Sequence, residues 1–65
     1  MNLPNQNKLA VSVSEAARMM GVSRPTMYAI LNREDCHAGF RYGTRRYVSV
    51  DALREWIAKQ TQEAS

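Results

Sequence analysis

"SVSEAARMMGVSRPTMYAIL", residues 12–31, contains two apolar runs divided by a glycine. Ser12 with Glu15 three positions later is a capping box, the pairing that opens a helix by satisfying its free backbone N–H groups. Val13, Ala16, Ala17 and Met20 then recur at helical spacing and form one apolar face. Gly21 ends that helix, because glycine accepts the left-handed backbone that a helix C-terminus favours. Ser23 is the next N-cap, and Pro25 is tolerated in the first turn because its missing N–H has no partner there anyway. Met27, Ile30 and Leu31 form the inward stripe of a second helix that stops near Asn32. Met19, Met20 and Met27 read as core fillers, not as a cofactor site. A connection of about three residues is too short for antiparallel packing, so the two helices cross steeply in a helix-turn-helix.

Outward from this pair, "NREDCHAG" (32–39) reads as a polar loop. "FRYGTRRYVS" (40–49) alternates and is rich in aromatic and β-branched residues, which predicts strands over 40–42 and 46–48 joined through Gly43-Thr44. Tyr42 and Tyr47 are expected to pack within this hairpin. Ser49 caps a third helix over 50–60, with Val50, Leu53, Trp56 and Ile57 on its apolar face and Trp56 anchoring it against the first two. Residues 1–9 read as a flexible N-terminal arm and 61–65 as a polar C-terminal tail. The expected fold class is mainly α with a small β-hairpin, a single domain over 10–60 in the order helix-turn-helix-hairpin-helix.

Sixty-five residues build one small core and can hardly enclose a substrate, which argues against an enzyme and leaves no catalytic residue to assign. The single cysteine, Cys36, rules out an intramolecular disulfide and favours a cytoplasmic location. No signal peptide and no membrane-spanning stretch is expected. Cys36 and His37 are adjacent, with no second ligand pair, so no metal and no cofactor is assigned. The net charge of +3 is unevenly placed. Residues 22–47 carry Arg24, Arg33, Arg41, Arg45 and Arg46 against Glu34 and Asp35, an excess made entirely of arginine. Arginine's planar fork of donors suits phosphates and guanine edges.

Ala17, Gly21, Met27 and Ile30 stand at the spacing A-x3-G-x5-φ-x2-φ, where φ is apolar, and this looks like the helix-turn-helix signature. Together with "GTRRYVSVDALREWI" (43–57), the stretch resembles the excisionase-like winged helix-turn-helix family, related to the DNA-binding head of MerR-type regulators. The resemblance covers about residues 10–60. It implies that the second helix is the recognition helix, with Ser23, Arg24, Pro25, Thr26, Tyr28 and Asn32 toward double-stranded DNA. Ser23 and Thr26 would offer donors to a phosphate, and Arg24 would contact a guanine or a phosphate. Tyr28 is left with two readings, a DNA contact or packing of its ring on the wing. Arg41, Thr44, Arg45 and Arg46 would form the wing, reaching the backbone or the minor groove, with one of Arg45 and Arg46 touching DNA more readily than both.

MerR-type regulators continue into a long dimerisation helix, which this sequence does not show after its third helix. The resemblance to excisionase-like proteins implies an architectural DNA-bending protein of a bacterial or phage-encoded mobile element, nucleoid-associated when bound. Its partners would be a site-specific integrase and further copies of itself on DNA, with "AKQTQEAS" (58–65) as the end that meets them. A small phage- or plasmid-type transcriptional regulator would use the same DNA-binding surface. A protein-interaction module with an incidental basic face is the alternative of a different class.

Overall fold

The computed structural model describes residues 9–64. Its elements run β1 (Ala10–Ser12), α1 (Val13–Met20), α2 (Arg24–Leu31), β2 (Gly39–Tyr42), β3 (Arg45–Ser49) and α3 (Val50–Ala64). Three helices and a three-stranded antiparallel sheet in this order form a winged helix-turn-helix. Among the described residues no helix is long and apolar enough to cross a membrane. The expected N-terminal arm falls on residues 1–9, of which 1–8 lie outside the described residues.

Each helix start follows its capping serine. Ser12 Oγ accepts the Glu15 N–H at 3.1 Å, Ser23 Oγ accepts that of Thr26 at 3.3 Å, and Ser49 Oγ accepts that of Ala52 at 3.3 Å. The turn between α1 and α2 is a Schellman motif built on Gly21, whose φ is +75°. Gly21 N–H donates to the Arg18 carbonyl at 3.2 Å and Val22 N–H to the Ala17 carbonyl at 3.0 Å, closing the end of α1. The small side chains of Ala16 and Ala17 are buried, as is Met27 of α2, so the two helices approach closely.

The core joins Val11, Val13, Ala16, Ala17, Met27, Leu31, Cys36, Ala38, Val48, Val50, Leu53 and Trp56. Met20, Val22, Ile30 and Ile57 pack against its margin, half-buried. Met19 is not a core filler, since it is 42% exposed. At 100° per residue it falls off the stripe defined by Val13, Ala16, Ala17 and Met20. Tyr42 is not a packing residue either. It is 76% exposed, because strand alternation puts it opposite Arg45 on the sheet face turned away from the helices.

The sheet order is β1-β3-β2, so β3 is central. Val11 pairs with Val48 and Ser12 with Tyr47, while on the other side Phe40 pairs with Tyr47 and Arg41 with Arg46. The strand β1 was not foreseen: "AVS" is too short to show alternation, and only the free edge of β3 gives it a partner. The hairpin itself is as expected, longer by a residue at its ends. α3 continues to Ala64, so residues 61–64, read from sequence as a tail, extend the helix.

The polar loop after α2 conceals core residues, for Cys36 and Ala38 are buried while His37 is exposed. Arg33 holds the loop against α3. Its Nε and Nη2 donate to the two Asp35 carboxylate oxygens at 2.9 and 3.0 Å, and its guanidinium lies 5.6 Å from the centre of the Trp56 ring. The Arg33 guanidinium keeps the Asp35 carboxyl well below the usual carboxylate range.

Two predictions follow from the packing. A Cβ at Gly21 would meet no atom within 4 Å, so the cost of a substitution there is the positive φ alone. Gly21→Ala should destabilise by about 1–2 kcal/mol and Gly21→Asn by less, measured by denaturant unfolding; equal losses would mean that space, not backbone, is limiting. Asp35 ionises more readily folded than unfolded, so it contributes stability above its ordinary value of 3.8 and loses it as pH falls toward the folded value. The pair is open to solvent, which keeps the effect small. Asp35→Asn should lower the melting midpoint at neutral pH, and the difference from the parent should fade below pH 3.8.

Candidate nucleic-acid interface

The N-terminal turn of α2 carries Arg24, and Tyr28 lies one turn further along the same face. Opposite them stands the hairpin. Gly43, at φ +67°, occupies the first of the two turn positions between Tyr42 and Arg45, where a tight hairpin turn takes glycine. That turn puts Arg45 across from Tyr42 and Arg46 across from Arg41. Alternation along the strands then sends Arg41 and Arg46 to the face that holds Val11 and Val48, the helix side of the sheet.

Between helix and hairpin runs an open groove of about 450 Å³. It is lined by Arg24 and Tyr28 from α2, by Arg41, Thr44, Arg45, Arg46 and Tyr47 from the hairpin, and by Ser12, Val13 and Ser14 from the start of α1. Six of the residues expected at a DNA surface therefore meet in one place: Arg24, Tyr28, Arg41, Thr44, Arg45 and Arg46. Arg24, Arg41, Thr44, Arg45 and Arg46 are exposed, and Tyr28 is half-buried with one side of its ring against the core.

The ion pairs found among the described residues join Arg18 to Glu15 and Arg33 to Asp35, and neither involves a groove arginine. The groove arginines are thus left without an ion pair to any described acid. One groove arginine has a defined neighbour, since the Arg46 guanidinium lies 5.5 Å from the centre of the Tyr28 ring. Packing on the wing is what the structure shows for that ring.

Other expected residues sit elsewhere. Ser23, Pro25 and Thr26 are exposed on the first turn of α2 but do not line the groove. Ser23 Oγ accepts the Thr26 N–H and donates to Thr26 Oγ1 at 2.9 Å, so the Ser23 proton and that amide are already engaged, while the Thr26 hydroxyl, accepting here, keeps its own proton to donate. Pro25 has no N–H to give. The first turn of α2 accordingly offers an anion fewer donors than its sequence suggests. Asn32 is the C-cap of α2, about 12 Å along the axis from Arg24, and does not join the groove.

Ser12, Val13, Ser14 and Tyr47 were missed as groove residues. Ser12 and Ser14 read fully as helix-start residues in sequence, and only the pairing of β1 with β3 carries that start to the hairpin. On the opposite face of the sheet, Phe40 and Tyr47 stack with ring centres 5.9 Å apart. Phe40 is 43% exposed there.

Neither the comparison with curated proteins nor that with solved structures yields a match. A family model described as a helix-turn-helix domain matches residues 10–61, which hold every element described above except the last three residues of α3. With that match over most of its length, and with the two crossed helices and hairpin in place, the chain belongs to the helix-turn-helix domain family.

Proposed function

We propose that this protein binds double-stranded DNA sequence-specifically, with α2 in the major groove and the wing on the adjacent backbone or minor groove. The observation that carries the reading is the convergence of Arg24, Arg41, Arg45 and Arg46 on one groove without an acid partner among the described residues. Fixed cations left uncompensated on one face are what a phosphate backbone neutralises, releasing its counterions. Arg24, at the start of α2, is placed to contact a base edge, while Arg41, Thr44, Arg45 and Arg46 contact the backbone.

Within that reading, the role is that of an excisionase: it binds and bends attachment-site DNA and so directs a site-specific integrase toward excision of a mobile element. It performs no chemistry itself. The resemblance of residues 10–60 to excisionase-like proteins supports this role. One winged helix covers one short site, so useful affinity comes from several copies side by side. The setting is the bacterial cytoplasm, on nucleoid DNA, for a protein encoded by the bacterium or by a phage.

Substitutions in the groove test the DNA reading. Arg24→Ala should cost about 1–3 kcal/mol on the preferred site and relax sequence preference there. An equal loss on every sequence would make Arg24 a phosphate contact. Arg45→Gln with Arg46→Gln should weaken all duplexes alike and reduce the salt slope by about two. An unchanged slope would take the wing off the DNA, and failure of the parent to bind any duplex at low salt would end the reading.

The role is tested by gel mobility shift and circular-permutation bending on DNA from the integrase attachment site. A ladder of successive bands with increasing bend is the result expected of an excisionase. A single unbent complex would favour the transcriptional regulator instead.

A further inference from the structure

We infer that Tyr28 is a positioning residue, whose ring holds the Arg46 guanidinium so that wing and recognition helix present one surface; this rests on the DNA-binding reading above. The Arg46 guanidinium lies 5.5 Å from the centre of the Tyr28 ring, within the range at which a cation is drawn to an aromatic face. Nothing described competes for it, because no ion pair among the described residues uses Arg46. The ring is a firm support, half-buried and packed against the core at the margin of α2.

The strand register makes such a support useful. Arg46 stands directly across from Arg41 on β2, and like charges facing each other across a ladder repel. Drawn toward α2 by the ring, Arg46 leaves Arg41 and keeps to the helix side of the groove. Arg45, one residue earlier, alternates to the other face of β3, across from the exposed Tyr42, and the guanidinium–ring contacts found among the described residues belong to Arg33 and Arg46. Two arginines adjacent in sequence are therefore unlike in freedom: Arg46 is oriented before DNA arrives, and Arg45 is not. An oriented arginine loses less side-chain freedom on binding, which raises affinity without adding a contact.

The test is a double-mutant cycle on the full chain, read as duplex affinity at fixed salt, together with side-chain NMR of the free protein. Tyr28→Met keeps an apolar, helix-compatible side chain on the core and removes the ring. In the free protein, Arg46 Hδ and Hε should be shifted upfield by the ring, and the shift should vanish in Tyr28→Met. On duplex DNA, Tyr28→Met should lose about two- to fivefold in affinity with Arg46 present, the fold-change that a solvent-exposed cation–π contact supplies, and almost nothing more once Arg46→Gln is in place. The same cycle run with Arg45→Gln should be additive. Tyr28→Phe should restore both the shift and the coupling.

Additive losses for Tyr28 and Arg46, an unshifted Arg46, or a Tyr28→Phe variant as weak as Tyr28→Met would each overturn the inference; in the last case the phenol hydroxyl itself meets the DNA. A cycle needs all four proteins folded, so should Tyr28→Met melt early, the Arg46 ring shift in the free parent and in Tyr28→Phe decides the inference: present in both it supports the contact, absent from either it overturns it. Should the parent bind no duplex at all, the DNA reading and the inference fall together, and the Arg46 shift then tells whether the contact exists apart from any DNA role.

Discussion

Everything in this domain depends on how closely α1 approaches α2. Ala16 and Ala17 present almost no side chain to Met27, which is fully enclosed, and Gly21 turns the backbone through a left-handed residue between them. Close apposition of small against large gives a well-filled contact from little surface, which a chain of this size needs. Any bulk added at Ala16 or Ala17 would have to separate the helices. The crossing then determines which side of α2 is left over. Arg24 lies on the same stripe as Met27 and Leu31, one turn before Met27, so it emerges past the edge of the core, on a side turned outward toward the hairpin.

The remaining elements turn that outward side into a site. β3 occupies the centre of the sheet, with β1 on one edge and β2 on the other, so one strand ties the start of α1 to the hairpin. The consequence is a groove bounded by two helix N-termini and a wing, not by the recognition helix alone. Behind it, the Arg33–Asp35 pair over Trp56 anchors the loop between α2 and β2 to α3. That loop delivers Cys36 and Ala38 to the core, and the Ala38 carbonyl accepts from Ser49 N–H at 2.7 Å as the chain enters α3. Arginine thus has two separate uses here. Arg33 is neutralised and structural, whereas the groove arginines are left available.

Local signals legible in the sequence were those whose physics is short-range. Ser12, Ser23 and Ser49 cap helices because a serine oxygen meets an amide three residues on, whatever the rest of the chain does. Gly21 and Gly43 adopt positive φ for reasons internal to one residue. The apolar stripes of α1, α2 and α3 followed from helical periodicity. Less legible was "NREDCHAG", where polar composition hid two buried positions. Met19 and Tyr42 went the other way, apolar or aromatic by type and yet exposed because no element covers them.

By itself, then, the sequence determined the order of elements, the turn that crosses the first two helices and the arginine content of the later half, since each is written in contacts a few residues apart. Tertiary structure decided which arginines act together. The register of β3 against both its neighbours brings Arg41 and Arg46 to the groove that Arg24 enters from α2, and Arg45 borders it beside the turn. And it places the Tyr28 ring under Arg46, a meeting of residues distant in sequence that strand pairing and helix crossing together impose.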